Sequence, residues 1–162
     1  MQLLLPNEAV RNMRRHLLRA GRREIGGMLM GEDLGDQRFR VLEYSVDTKS
    51  GTTTSFHREA EEHDRALSAF FEKTGSDYAR FNYLGEWHSH PSFSVQPSLH
   101  DLHAMQDLVD GTGGVNFAIL LISRLRWYWR FDCSAHLFVQ GYPPTTVDVT
   151  QDHRSTSRIK VN

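Results

Sequence analysis

Cysteine is nearly missing from this chain: Cys133 stands alone among 162 residues. No internal disulfide can form from it, and zinc knuckles built on cysteines are excluded. Long apolar runs are missing too. The longest clean one, "FAILLI" from Phe117 to Ile122, is far too short to span a bilayer. The opening "MQLLLPNEAV" has three leucines in a row and nothing resembling the apolar region of a signal peptide. Charge of one sign is not in excess: 19 basic residues face 20 acidic ones, a net charge of -1. That balance gives no general reason to expect nucleic acid or an anionic membrane as partner. A reducing cytoplasm is the expected home.

What is present reads as one globular domain, large enough to bury about 70% of its unfolded surface. "LLL" followed by "PNEAVRNMRRHLLRAG" reads as a strand and then a helix, with Pro6 early and Gly21 at the stop. Val10, Met13, Leu17 and Ala20 keep the helical period and are expected in the core. Arg11, Arg14, Arg15, Arg19, Arg22 and Arg23 crowd the rest of that stretch. They read as a solvated basic face, with a docking site for an acidic partner as the alternative. "EIGGMLMG", "RFRVLEYSV", "TTTSFH", "FNYLGEWHSH", "VNFAILLIS", "RWYWRFD" and "AHLFVQ" are strand candidates, and "REAEEHDRALSAFFEKTG" and "SLHDLHAMQDLV" are helices. Phe70 and Phe71 are adjacent, so one helical stripe cannot bury both. Trp127 and Trp129 are expected to share a strand face and pack. The mixture indicates an α/β domain over residues 1–150, a mixed sheet covered by helices. Residues 151–162 read as a flexible tail.

One stretch departs from what a core strand needs. "GEWHSHPSFSVQPSLHD", Gly85 to Asp101, carries two histidines one residue apart, then proline, serine and aspartate. Side chains alternate along a strand, so His88 and His90 project from one face and Ser89 from the other. Two imidazoles side by side make a two-point clamp for a divalent cation. Pro91 turns the chain away, Ser98 stands where a helix cap is expected, and Asp101 follows at the third helical position. Two His and one Asp suit zinc and leave the fourth tetrahedral position for water. Each piece alone has a plainer reading, a packed histidine or an ordinary capping box; the combination points to a metal centre.

The spacing His-x-His, seven residues, Ser, two residues, Asp, together with the upstream Glu of "EIGGMLMG", resembles the JAMM motif of MPN-domain zinc metalloproteases. The likeness runs from about Leu3 to about Val149 and is specific at Glu24–Gly31 and Gly85–Asp101. "GEWHSHP" is closest to the prokaryotic members. The resemblance implies a cytidine-deaminase-like sheet flanked by helices and one Zn2+ per chain. It implies cleavage after the C-terminus of ubiquitin or a ubiquitin-like protein, by deconjugation or precursor processing. In this likeness His88, His90 and Asp101 are the metal ligands. Glu24 is the general base and acid, and Ser98 donates to the oxyanion. Glu86, on the same strand face as the histidines, is the rival base. His103 reads as a surface or packing residue, with a supporting role beside Asp101 as the alternative. Free-standing members of this type resemble those encoded beside E1- and E2-like enzymes in antiphage conjugation systems.

Two other classes compete. Many MPN domains lack the metal ligands and act only as scaffolds, whereas this chain keeps all five motif residues. A zinc deaminase needs His-x-Glu and Pro-Cys-x-x-Cys, which one cysteine cannot supply. A peptidase acting on a sulfur-carrier protein stays open within the first class.

Overall fold

Three helices and seven strands alternate in the computed structural model, which describes residues 1–47, 56–127 and 129–152. In chain order they are β1 (Gln2–Pro6), α1 (Asn7–Ala20), β2 (Gly26–Asp33), β3 (Arg38–Tyr44), α2 (Phe56–Lys73), β4 (Phe81–Ser89), α3 (Leu99–Asp110), β5 (Phe117–Arg126), β6 (Arg130–Val139) and β7 (Tyr142–Asp152). The strands lie in the order β1-β3-β2-β4-β5-β6-β7, and β7 returns to β1 to close a barrel. β1 runs parallel to β3 and β7, and β4 parallel to β5; the other pairs are antiparallel. The mixed sheet and its helices match the expected class. Closure of the sheet is a feature that the sequence reading did not contain.

Helix α1 forms where its residues predict. Glu8 in the first turn and Arg19 in the last complement the helix dipole, and Gly21, at φ +64°, ends it by donating to the Leu17 carbonyl at 3.0 Å. Val10, Met13 and Leu17 are buried in one cluster with Leu3, Ile25, Trp87, Ile119 and Leu121. On β5 the alternate residues Ala118, Leu120 and Ile122 join Met105 and Val109 of α3 instead. Both faces of β5 are therefore covered, which is why its sequence is an unbroken apolar run rather than an alternating one. Phe70 of α2 is fully buried against Met30 and Phe81, while Phe71 packs edge-on against Tyr78 at 4.7 Å.

Two irregularities aim β4. Gly85 adopts φ +144°, and a Cβ there would lie 2.0 Å from the Ile119 carbonyl oxygen, so the parallel β4–β5 pairing requires glycine. The β2–β4 register shifts beside it, between Leu29 and Met30. Leu84 and Trp87, three residues apart, consequently share the α1-side core. Trp87 is 1% exposed and its indole N–H donates to the Ser45 carbonyl at 2.9 Å. Burial of such a ring contributes about 1.5–3 kcal/mol and fixes the parity of the residues that follow.

The barrel ends are tied by charge. Glu32 of β2 accepts from Arg80 at 2.6 Å and from Arg40 at 3.4 Å, and Arg40 of β3 donates to Asp152 of β7 at 3.1 Å. Gln151 and Asp152 thus belong to the sheet, not to the expected tail, and residues 153–162 lie outside the described residues. Strand β7 itself was not expected. "RWYWRFD" and "AHLFVQ" do not form two strands: a single β6 runs through Arg130–Val139. Most of the strand expected at "TTTSFH" lies outside the described residues, while Phe56 and His57 open α2. Trp127 and Trp129 lie in the β5–β6 turn with their rings 6.3 Å apart, but they are exposed, 59% and 63%, not packed into the core or against a strand edge. Trp127 has φ +52°, a turn conformation that breaks the assumed strand alternation.

Candidate metal centre

The centre is built outward from β4. Trp87 and Ser89 point into the α1-side core, so His88 and His90 take the opposite face, where α3 lies. Ser89 is clamped to the neighbouring chain: its N–H donates to the Ile25 carbonyl at 2.8 Å, and its hydroxyl accepts from the Ile25 N–H at 3.0 Å. The His90 N–H donates to the Ser123 carbonyl at 2.9 Å. The backbone is thereby held on both sides until Pro91 leaves the sheet.

The loop after Pro91 is fastened by three successive carbonyls. Phe93 accepts from Arg124 Nη1 at 2.7 Å, Ser94 from His90 Nδ1 at 2.8 Å, and Val95 from the Ser134 hydroxyl in a short bond. These donors come from β5, β4 and β6. The loop delivers Ser98, in extended conformation, to cap α3. The Asp101 N–H donates to Ser98 Oγ at 3.2 Å, and the Ser98 N–H and hydroxyl both donate to Asp101 Oδ2 at 2.7 Å. This reciprocal capping box points the carboxylate back toward β4.

There the three side chains meet. His88 Nε2 and His90 Nε2 are 3.0 Å apart; Asp101 Oδ1 is 3.4 Å from the first and Oδ2 is 3.6 Å from the second. Zinc bonds of 2.0–2.1 Å in tetrahedral directions separate neighbouring ligand atoms by about 3.3 Å. With one donor atom from each residue, the three lie within 4.8 Å of one another, a cluster that could hold one ion. A carbonyl can only accept, so His90 Nδ1 carries the proton it gives Ser94, and in the neutral ring Nε2 keeps its lone pair. Burial works against ionisation of Asp101, but hydrogen bonds from His88 and Ser98 overcome it and hold the carboxyl well below the usual carboxylate range. Two aromatic nitrogens and an ionised carboxylate are the donor set that zinc accepts.

The remaining expected residues are placed as follows. Glu24 is exposed and stands outside the three-residue cluster, on the chain entering β2. Its neighbour Ile25 is buried on the α1 side, and Gly26 pairs with His88, so the backbone brings Glu24 alongside the histidine end of β4. Glu86 is half-buried and also outside the cluster; its charge, after burial, helps raise the Tyr83 hydroxyl pKa. Ser98 lies at the site with its hydroxyl engaged by Asp101. His100 and His103 are exposed on α3. Cys133 is partly buried against the α1-side core, its thiol pushed up to about 11 by burial and by Asp132. Sequence reading missed Arg124 and Ser134. Their contacts span 31 and 39 residues, and no local pattern marks them.

A family model described as prokaryotic homologs of the JAB domain matches residues 6–135. No curated protein matches the chain. Among solved structures, the solution structure of protein DSY2949 from Desulfitobacterium hafniense is similar, with a TM-score of 0.67 and 21% identity over 94% of each chain. A protein from Salinibacter ruber gives a TM-score of 0.59 and 19% identity over 94% of this chain and 92% of that one. At such identities the likeness concerns the fold alone. With the family model spanning most of the chain, this protein belongs to the JAB/MPN-domain family, among the prokaryotic homologs of the JAB domain.

Proposed function

We propose that this protein is a zinc-dependent peptidase of the JAMM type that cleaves after the C-terminus of a ubiquitin-like protein. The observation that carries the reading is the convergence of His88, His90 and Asp101, with donor atoms within 4.8 Å of one another, beside the chain that bears Glu24. Bound there, zinc would supply Lewis acidity toward water and a scissile carbonyl. The protein's own residues do the rest. His90, steered by Ser94, presents Nε2, and Asp101, steered by Ser98, presents its carboxylate. Glu24 takes a proton from the attacking water and returns it to the leaving amine. Its exposure leaves the carboxylate room to reach both partners.

Ser98 is the residue whose proposed role asks for movement. Its hydroxyl proton is directed at Asp101 Oδ2, so donation to an oxyanion requires the hydroxyl to turn about its Cβ–Oγ bond. Cys133, with its thiol held neutral, is not the nucleophile. Partners of this reading are a ubiquitin-like protein or its conjugates and the E1- and E2-like enzymes that make them, in a cytoplasmic setting such as an antiphage conjugation system. A sulfur-carrier protein is the alternative substrate.

The test offers linear fusions of ubiquitin-like modifiers to a reporter protein, with and without a chelator. Cleavage at the modifier's C-terminus, abolished by chelation and by Glu24→Gln, is the expected result. Cleavage that survives Glu24→Gln transfers the base to Glu86. Cleavage untouched by complete metal removal overturns the mechanism, and absence of both bound metal and cleavage of any fusion favours a scaffold.

A further inference from the structure

A groove of about 600 Å3 lies on the α1 side of the sheet, where Pro91 and Ser92 leave β4. Its floor is aliphatic, from Leu17, Leu18 and Leu125, and one wall is the exposed indole of Trp127. Two of its segments continue into the site: Arg22 and Arg23 precede Glu24, and Pro91 and Ser92 follow His90.

The electrostatics of the groove are one-sided. Arg22 and Arg23 are exposed, and neither has an ion-pair partner among the described residues. Arg124 also lines the groove, and it shares a single acid, Asp132, with Arg126 and Arg130, at 3.5, 3.9 and 3.2 Å. Arg22, Arg23 and Arg124 therefore line the groove, and among the described residues no acid is part of its lining. Arg126 also stacks on Trp127, 4.2 Å from the ring centre. The chain as a whole carries a net charge of only -1, so this excess is local. Of the basic residues that crowd α1 and its exit, Arg22 and Arg23 line this groove.

We infer that this groove binds an extended acidic peptide segment, with an apolar side chain seated on the Leu17–Leu18–Leu125 floor and carboxylates reaching Arg22, Arg23 and Arg124. Naming that segment as part of the substrate rests on the peptidase reading above; the binding itself does not. An aliphatic floor suits a side chain better than a nucleobase, which calls for stacking faces on successive positions. Guanidinium groups match carboxylates in charge and in fork geometry.

Binding is measured without turnover, on the whole chain with chelator present, using a capped peptide of repeating Glu-Phe units. Trp127 and Trp129 are exposed and Trp87 is buried, so a shift in tryptophan emission reports on the groove. The peptide is expected to bind saturably and more weakly as salt rises. Arg22→Glu with Arg23→Glu should weaken it by about tenfold or more, and so should Leu18→Asp, whose side chain is already exposed. Arg38→Glu, at the far end of the barrel, should leave binding unchanged. Lack of binding, equal binding of a Lys-Phe peptide, or equal binding by both groove variants would overturn the inference. Tighter binding of single-stranded oligodeoxythymidine than of the Glu-Phe peptide would overturn it as well. Loss of peptide cleavage with peptide binding intact would count against the peptidase reading alone.

Discussion

Gly26 of β2 pairs with His88 of β4, and a Cβ at Gly26 would lie 2.6 Å from the Trp87 carbonyl oxygen and 3.0 Å from the His88 Cβ. The missing side chain lets two backbones close on each other at the histidine whose ring faces Asp101. The double glycine after Glu24 is thus part of how the metal centre is positioned, although it offers no ligand.

Gly26→Ala must push β2 and β4 apart, because the nearest obstacle is backbone. The substitution is expected to cost about 1–3 kcal/mol in urea unfolding. It should also weaken zinc binding by roughly 10–100-fold, the scale on which groups outside the ligand set act. A competition titration against a chromophoric chelator measures the second effect. Unchanged zinc affinity would show that the seam does not hold His88.

Ser134→Ala removes the donor to the Val95 carbonyl, the last of the three fastened carbonyls before α3. A stability loss of about 1 kcal/mol is expected from one such bond. Because that loop carries Ser98 and Asp101, zinc affinity should fall by about tenfold as well. A stability loss with full zinc affinity would mean that the fastening does not position Asp101.

Cys133 provides a pH-dependent prediction. Burial and Asp132 raise its thiol to about 11, so the fold favours the neutral form. That contribution is fully present below the unfolded thiol's value of about 8.5 and is lost as pH rises through the folded one. Relative to Cys133→Ala, the protein should therefore lose stability between pH about 8.5 and 11. At pH 8 iodoacetamide should label the native thiol slowly and the urea-unfolded thiol fast. Equal labelling rates would contradict the raised value.

The cluster of His88, His90 and Asp101 was legible in the sequence because local geometry brings the three together. A strand period of two puts His88 with His90, and a capping box sends Asp101 back past Ser98. Helix α1 was legible for the same reason, its buried residues falling at the helical spacing. Strand β7 was not. Its sequence "YPPTTVDVTQD" offers two prolines and, besides Val147, little that is buried, and it is held by pairing with β1 and β6 from far along the chain. Barrel closure depends on that strand and was missed with it. Trp127 was misplaced because a positive φ in the turn ends the alternation on which its packing was expected. Arg124 and Ser134 escaped notice because their partners are set by sheet order, which no local pattern in the sequence contains.

The most direct measurement is a zinc titration of the purified chain followed by calorimetry and metal analysis, with His88→Ala and Asp101→Ala alongside. One zinc per chain should bind to the unaltered protein. Each variant should lose affinity by more than the roughly 100-fold ascribed to groups outside the ligand set. Failure of the unaltered chain to bind zinc, or equally tight binding by both variants, would contradict the account.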